Sequence, residues 1–417
     1  MNSGSAARTG ADAAWRRSGA VMVMLVSVSA HAERWLVEDS VNARLETNDN
    51  VSLAAVSPGT VNSLYVSGAL DASRQIENAV TRLKTDVTLV RQQGAAAQDR
   101  VDGQWALTQS LIDPLNNFTV SAQYTQDFNN VISNADVTQG LGRRRTTVVS
   151  AAWTRALTER LSATTQLSAD RTSYGAQLSG AVDYRDLSAS TGLSYALSEI
   201  ASVGVQVSRS AYRAADDRNR SDTDAVSVNA SRPTGERTGG SVSLGVYRTA
   251  SAVRISEVGC PLAVAFCNAG LVPFVFFDQR IDSSRRGVQF SGSYRMQIDE
   301  VTDASFGVAR QQSPSGSGTL VRNDTLNLGL NRALSPTLSA TMGYARSRST
   351  LQDAAGAPQP GQSTFTASLT RQLATNLTAQ IIVQRNQADS SSAGGAGHSN
   401  SLSISLKYDG PRLDASR

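Results

Sequence analysis

The chain has 417 residues, of which 40% are hydrophobic and 18% are charged, and its formal net charge is +4. That is too little charge for a typical disordered chain, and so small a net charge does not point to nucleic acid as a partner. After the N-terminus, no window offers the run of about 18 apolar residues that a transmembrane helix needs. The length allows one large architecture or two to three ordinary domains.

The N-terminus carries the three parts of a secretory signal. Arg8, Arg16 and Arg17 precede the apolar run "AVMVMLVSVSA", and "AHA" follows at 30–32. A charged region, a short apolar region and an A-x-A site predict cleavage after Ala32, with Ala30 and Ala32 forming the site. The apolar run is too short for a comfortable membrane anchor. We therefore expect residues 1–32 to be a signal peptide that directs the chain out of the cytoplasm.

The remaining chain repeatedly alternates apolar and polar residues. Strict alternation places one residue type on each face of a β-strand. The apolar face is Leu, Ala and Val, whereas the polar face is Ser, Thr, Asn, Gln and Gly rather than charged. Clear examples are "ERLSATTQLSAD" (159–170), "DTLNLGLNRAL" (324–334), "TFTASLTRQL" (364–373), "NLTAQIIVQ" (376–384) and "SLSISLKY" (401–408).

A short phrase recurs where one alternating run ends and the next begins. Its copies are "RALTERLSA" from Arg155, "YALSEIASV" from Tyr195, "RALSPTLSA" from Arg332 and "RQLATNLTA" from Arg371. The spacing predicts hairpin turns. With less similar turns included, eight are expected, near residues 74, 114, 158, 198, 235, 299, 335 and 374. Longer polar connections separate them.

Short turns at one end and long connections at the other are typical of an outer-membrane barrel. We therefore predict an all-β, transmembrane, antiparallel up-and-down β-barrel over residues 33–408. Counting gives 18 strands, or 16 if a weak early strand does not form. The short turns and both termini are expected at the periplasmic rim. Arg155, Tyr195, Arg332 and Arg371 are expected to anchor that rim, because a snorkelling Arg or an interfacial Tyr suits that depth.

The longest connection contains the two cysteines of the chain. Cys260 and Cys267 lie close together in "CPLAVAFC", and in an oxidising compartment such a pair is expected to form a disulfide. The surrounding segment, 261–277, is the least polar part of the predicted barrel. It could fold into the lumen as a plug, dock a partner, or form an extra hairpin on the rim.

The last predicted strand places Leu402, Ile404, Leu406 and Tyr408 on the apolar face. A C-terminal strand that ends in an aromatic residue is similar to the signal read by the barrel assembly machinery, which we expect as a partner. The chain continues beyond Tyr408, and we expect residues 409–417 to form a short periplasmic tail.

No catalytic constellation is visible in the sequence. His31 lies in the predicted signal peptide, and His398 stands alone in a predicted Gly/Ser loop, so no His-assisted nucleophile is expected. Phosphate loops, dinucleotide motifs and zinc spacings are absent. We expect no enzyme activity, no cofactor and no resident metal. The acidic run 216–224 could hold a cation or form a solvated loop, and "RRR" (143–145) could contact lipopolysaccharide phosphates or be an ordinary exposed triplet.

The stretch "RLETNDNVSLA" (44–54) resembles the opening of the outer-membrane barrels associated with PEP-CTERM/exosortase systems. Those proteins carry an aromatic-Thr-Asp-Asn-x-x-Leu phrase. Thr47, Asp49, Asn50 and Leu53 match parts of it, while the aromatic is missing and Asn48 intervenes. The resemblance implies a link to exopolysaccharide production and export, with polysaccharide export components as partners.

Together these features predict a non-enzymatic pore or secretion channel in the outer membrane of a Gram-negative bacterium, in contact with membrane lipid and lipopolysaccharide. A wide barrel lined by Ser, Thr, Asn and Gln suits neutral, hydroxyl-rich solutes. The alternative is a plugged structural or adhesive barrel whose outer loops bind partners.

Overall fold

The computed structural model describes residues 33–94, 97–129, 142–175, 181–233, 237–259, 275–316, 319–351, 361–391 and 395–416. These residues form a single sheet of antiparallel strands. Among them, no helix is long and apolar enough to cross a membrane. The strands are β1 (Arg34–Asn48), β2 (Val61–Ile76), β3 (Ala79–Gly94), β4 (Arg100–Ile112), β5 (Asn116–Asn129), β6 (Gly142–Ala156), β7 (Leu161–Tyr174), β8 (Tyr184–Ala196), β9 (Ser202–Ala214), β10 (Asn219–Pro233), β11 (Thr238–Gly259), β12 (Val275–Asp299), β13 (Thr302–Pro314), β14 (Leu320–Ser335), β15 (Leu338–Leu351), β16 (Gln362–Ala374), β17 (Leu377–Ser391), β18 (Gly395–Asp409) and β19 (Leu413–Ser416).

The sheet closes on itself because β1 pairs on both edges. One edge pairs with β2 from Arg34↔Gln75 to Asn48↔Val61, and the other pairs with β18 from Ser40↔Asp409 to Asn48↔Ser401. Strand β19 pairs with the same edge of β1, as in Val37↔Leu413, so it continues β18 after a short break. The described residues therefore form a closed barrel of 18 strands, which confirms the predicted fold class and strand number.

The alternation of short and long connections is also as expected. The short connections span 77–78, 113–115, 157–160, 197–201, 234–237, 300–301, 336–337 and 375–376, close to the eight predicted turns. Both ends of the sheet, Arg34 and Ser416, lie at this short-turn rim. Residues 413–416, which the sequence assigned to a tail after the barrel, extend the sheet along β1 instead.

The recurring phrase makes two related turns. In the first and second copies, the amides of Leu157 and Leu197 donate to the carbonyls of Leu161 and Ala201, both at 2.8 Å. The hydroxyls of Thr158 and Ser198 accept from backbone amides two and three residues later. In the third and fourth copies a two-residue turn follows a β-bulge, at Ala333/Ser335 and Gln372/Ala374.

The apolar face of the strands points outward. Leu328, Ile381 and Ile404 are 45%, 45% and 55% exposed, although they lie in the middle of long strands. Serines between such residues, for example Ser403, are buried on the inner side. This inside-out arrangement is stable only where lipid covers the apolar outer face. The barrel can lie in the bilayer because a closed sheet leaves no unpaired backbone edge.

Aromatic residues divide between the two faces. Trp105 and Tyr124 contact each other on the outer face, with ring centroids 5.3 Å apart. Tyr65 and Tyr247 lie on the lumen-facing side of β2 and β11. Tyr65 is stacked under the guanidinium of Arg44 at 4.0 Å. The aromatic belts are therefore thinner than the sequence count suggests.

Replacing Leu328 with Arg tests the lipid-facing assignment. A charged side chain near the bilayer midplane costs about 2–4 kcal/mol in a transmembrane barrel. We expect Leu328→Arg to lower the free energy of unfolding by about that amount, measured by urea titration in lipid vesicles. The control is Asn327→Arg, one residue away on the lumen side, which should be nearly neutral. Equal stability of the two variants would contradict the assignment.

Candidate functional site

The lumen wall has a neutral sector built from hydroxyl and amide side chains. On β14, β15, β16 and β17, the described positions that alternate with the exposed apolar residues carry no ionisable group. Within this sector hydroxyls donate to amide oxygens across neighbouring strands, from Thr341 to Asn331 at 3.1 Å and from Thr364 to Asn386 at 2.9 Å. Such a wall offers donors and acceptors but no fixed charge.

The adjoining sector, on β18 and β1 to β4, carries ion pairs. Asp71 accepts from Arg82 and lies 3.6 Å from Lys84. The other pairs are Arg44–Glu46 at 3.4 Å, Arg100–Asp102 at 3.0 Å and Lys407–Asp409 at 2.7 Å. Both lysines of the chain thus face the lumen beside a carboxylate. Because each cation is paired locally, this sector adds polarity with little net charge.

One hairpin separates from the strand on one side of it and enters the mouth of the barrel. Strands β11 and β12 stay paired as far as Gly259↔Val275, whereas β12 and β13 separate after Phe290↔Arg310. Strands β13 and β14 remain paired with each other up to Pro314↔Leu320. The described residues of 311–323 therefore depart from β12 at the rim with the long connections, while β14 stays paired with β15 as far as Val321↔Leu351. We call these residues, 311–316 and 319–323, the inner hairpin.

The inner hairpin is held against the inner wall two or more strands away. The hydroxyl of Tyr212 on β9 donates to the carbonyl of Ser315 at 3.2 Å. The amide of Val182, just before β8, donates to the carbonyl of Gly316 at 2.8 Å. On β11, Thr249 donates to the side-chain oxygen of Gln312 at 2.9 Å. These bonds bridge one side of the barrel mouth, so the inner hairpin narrows it.

Apolar packing supports the same contact. Tyr212 and Ala214 on β9 are buried against Leu320 of the inner hairpin, and Val182 and Tyr184 pack around them. The rings of Tyr184 and Tyr212 are 5.5 Å apart, within the range of favourable aromatic pairs. Tyr212 is fully buried, although its side chain projects from the lumen-facing side of the wall. Within the described residues, this apolar cluster lies inside the barrel.

The phrase around Asn50 closes the barrel seam at the same rim. The Asn50 side-chain amide donates to the carbonyls of Ala54 and His398, at 2.8 and 2.9 Å. The Asp49 carboxylate accepts from the main-chain and side-chain amides of Asn400, at 2.7 and 2.8 Å. Burial alone would raise the pKa of Asp49, but the hydrogen bonds from Asn400 outweigh it and lower the pKa. These contacts tie the first connection to β18.

The expected rim residues lie at the short-turn rim and point outward. Arg155, Tyr195, Arg332 and Arg371 are all exposed on the apolar side of their strands, one to three residues before the strand ends. Leu402, Ile404, Leu406 and Tyr408 are also exposed on the outer side of β18. Their roles as membrane anchors and as an assembly signal stay predictions.

The arginine triplet is split between the two faces. Arg144 faces the lumen and forms an ion pair with Asp127 at 2.6 Å, whereas Arg143 and Arg145 are exposed on the outer side of β6. The acidic run 216–224 does not converge, and the described residues contain no group of three metal-ligand side chains. His398 lies on β18 rather than in a loop.

Several predicted features fall outside the described residues. These are the signal peptide with Ala30 and Ala32, and the Cys260–Cys267 pair with most of the apolar segment 261–277. The sequence did not single out Tyr212, Gln312 or the inner hairpin. On β9 the lumen-facing positions before Tyr212 are Ser, Gly and Gln, and a large aromatic residue after them was the signal in the sequence that could have indicated a contact inside the barrel. Its partners lie about 100 residues away in the chain, which local spacing does not reveal.

No family model matches the chain, and no curated protein matches it. Solved structures with a similar fold include Pseudomonas aeruginosa OccK2 (OpdF), at 11% identity and a TM-score of 0.48, over 90% of this chain and 97% of that chain. Acinetobacter baumannii OccAB3 is 8% identical with a TM-score of 0.45, over 91% and 99%. A BenF-like porin from Pseudomonas fluorescens Pf-5 is 11% identical with a TM-score of 0.46, over 91% and 99%. Similarities this low assign no function to this chain.

Removing the Asn50 side chain tests the seam. Asn50 is 3% exposed, and Asn50→Ala would leave the carbonyls of Ala54 and His398 without that donor. We expect the free energy of unfolding to fall by about 1–3 kcal/mol, the usual range for losing buried hydrogen bonds. Urea titration in vesicles measures it. Asn78→Ala, in an exposed turn at the other rim, is the control and should change stability little; equal losses would contradict a specific seam contact.

Proposed function

We propose that this protein is a non-enzymatic pore of the Gram-negative outer membrane that passes neutral, hydroxyl-rich solutes. The single observation that carries the proposal is the wall of the lumen, where a sector of Ser, Thr, Asn and Gln without ionisable groups lies beside locally paired charges. Hydroxyl groups of a solute can replace the water molecules that bond to the donors and acceptors of such a wall. Few fixed charges are left to favour an ion.

The inner hairpin supports a pore with a controlled entrance. Its bonds to Tyr212, Val182 and Thr249 make it the narrowing element at the rim with the long connections. In a transmembrane barrel the long connections are extracellular and the short turns periplasmic. This orientation places the narrowing at the extracellular mouth. The selectivity of the pore would then depend on the hairpin and on the hydroxyl-lined wall below it.

The narrower proposal is export of an exopolysaccharide. Its support is the sequence resemblance of 44–54 to barrels of PEP-CTERM/exosortase systems, together with the hydroxyl-rich lumen. A polymer of neutral sugars would meet the Ser and Thr rows along the whole wall. Its passage would require the inner hairpin to move from its partners on β9 and β11. Polysaccharide export components are the partners that this version of the proposal expects.

A plugged structural or adhesive barrel is the second candidate. The observation that favours it is the apolar seal between Leu320 and Tyr212, which a permanent plug would also need. The long β11–β12 pair, which continues beyond the point where β13 leaves it, would then serve as a surface for partners. The two candidates differ in whether current flows.

Single-channel conductance in planar bilayers separates the two functions. We expect the full mature chain to conduct steadily, and the double variant Tyr212→Phe with Gln312→Ala to conduct more, because the hairpin loses two tethers to the wall. Thr191→Ala is the control, since it removes a hydroxyl contact with Thr165 on the outer face. Silence of both the native chain and the double variant would favour the plugged barrel.

A second measurement concerns the paired charges of the wall. Asp71→Asn would leave Arg82 and Lys84 without their shared carboxylate. We expect the reversal potential in a potassium chloride gradient to shift toward anion preference. Asp224→Asn makes the same charge change on the outer face, where Asp224 lies 3.7 Å from Arg209, and should leave the potential unchanged. A similar shift in both variants would show that the lumen charge does not set selectivity.

A further inference from the structure

Arginines occupy the outer face of many strands at the rim with the long connections. On β8, Arg185 and Tyr195 both point outward and are ten positions apart, and the outward residues between them are Leu187, Ala189, Thr191 and Leu193. Ten residues of strand span about 33 Å, or about 25 Å along the axis at a tilt of about 40°. That is the height of the apolar band of a transmembrane barrel. Arg185 therefore lies at the headgroup level of the leaflet facing the long connections.

Four of these arginines form a row across neighbouring strands. Arg171 on β7 is paired in register with Arg185 on β8, Arg185 with Arg213 on β9, and Arg213 with Arg220 on β10. All four share the parity of the outward-facing residues of their strands, such as Val207 on β9 and Val226 on β10, and thus point to the same side. At about 4.8 Å per strand, the row is about 14 Å long. We call these four residues the arginine row.

The row is not neutralised by its own protein. Asp222 lies 3.1 Å from Arg220 and 3.7 Å from Arg213, and it is shared between them. Arg171 and Arg185 form no ion pair with an acid in the described part of the chain. Like charges directly opposite each other across strands destabilise a sheet. Four adjacent cations beside one carboxylate therefore indicate that the row is matched to an anion outside the protein.

Among the residues that the structure describes, the opposite rim has no such row of arginines in register. Arg155 is in register with Asn116 and Ala163, and Arg332 with Thr302 and Ala340. Arginines at that rim are thus spaced singly, as expected for snorkelling side chains. A general need for interfacial charge would place adjacent arginines at both rims. Their clustering at one rim matches a membrane whose two leaflets differ in composition.

We propose that the arginine row binds the phosphate groups of lipid A, the anionic glycolipid of the outer leaflet. Guanidinium groups bind phosphate oxygens through two parallel hydrogen bonds and are weakly hydrated, so they suit an interfacial phosphate. The row stands at headgroup depth, beside the apolar band that the acyl chains cover. This inference rests on the transmembrane placement and on the orientation of the barrel, but not on conduction through the lumen.

Lipid binding to the folded mature chain tests the proposal. The barrel is placed in phosphatidylcholine nanodiscs, and lipid A with two phosphates, dephosphorylated lipid A and inorganic phosphate are added separately. Native mass spectrometry counts bound lipid. We expect retention of bisphosphorylated lipid A, little retention of the dephosphorylated form, and no displacement by inorganic phosphate at equal concentration. Displacement at equal concentration would overturn lipid recognition in favour of a free-phosphate site.

The matched variants locate the site. We expect Arg171→Gln with Arg185→Gln to weaken lipid A binding about tenfold or more, because two charge-assisted contacts are lost. Arg332→Gln with Arg371→Gln makes the same charge change at the other rim and should bind as the native chain does. Equal binding by both double variants would overturn the proposal.

Two further readouts keep the result interpretable. If the Gln variant does not fold, the native chain decides the matter through the salt dependence of its lipid A binding. Two salt concentrations, 0.05 and 0.5 M, are chosen because they change the screening length from roughly 14 to 4 Å. Binding that is unchanged between them would refute an electrostatic site. Conductance of the same samples separates the two proposals. A conducting barrel that ignores the lipid phosphates refutes the arginine row alone, whereas a silent barrel that binds them refutes the pore alone.

Discussion

Backbone hydrogen bonding is the constraint on which the whole architecture depends. A strand in lipid has no water to satisfy its amides and carbonyls, so each edge must meet another strand. The critical place is the seam, where the first strand must find the last one after more than 350 residues. Strand β1 does so along its length, and β19 continues the pairing where β18 ends. The Asn50 and Asp49 contacts secure the same seam at the other rim.

Closure has a direct consequence for the side chains. With the backbone satisfied, one face of every strand can be apolar toward lipid and the other polar toward the lumen. A conventional core is then unnecessary, and the buried apolar cluster of Tyr212, Ala214 and Leu320 lies where the inner hairpin meets the wall. The hairpin can leave its neighbour β12 because Tyr212, Thr249 and Val182 supply new hydrogen-bond partners. The width of the barrel mouth and the strength of the contact between hairpin and wall are therefore linked.

The outer face uses arginine as well as aromatic residues at its boundaries. The chain contains few aromatic residues, and some of them, such as Tyr65 and Tyr247, face the lumen. Arginine can extend its stem along the apolar band and keep its charge in the headgroup region. Single arginines at the short-turn rim and adjacent ones at the other rim make the two boundaries chemically different. The barrel thus carries its membrane orientation on its surface.

The sequence by itself determined the strands, their faces and the number of turns, because alternation with a period of two is a local property. Leu328 and Ile381 point outward for that reason. The chain also turns within the two copies of the recurring phrase that start at Arg155 and Tyr195. Only the tertiary structure decided the register and the path of the hairpin. Alternation fixes a face but not which residues stand opposite each other, so the arginine row and the Arg44–Tyr65 stack were invisible. The inner hairpin obeys the same alternation as its neighbours, and its inward path depends on contacts with residues far away in the chain.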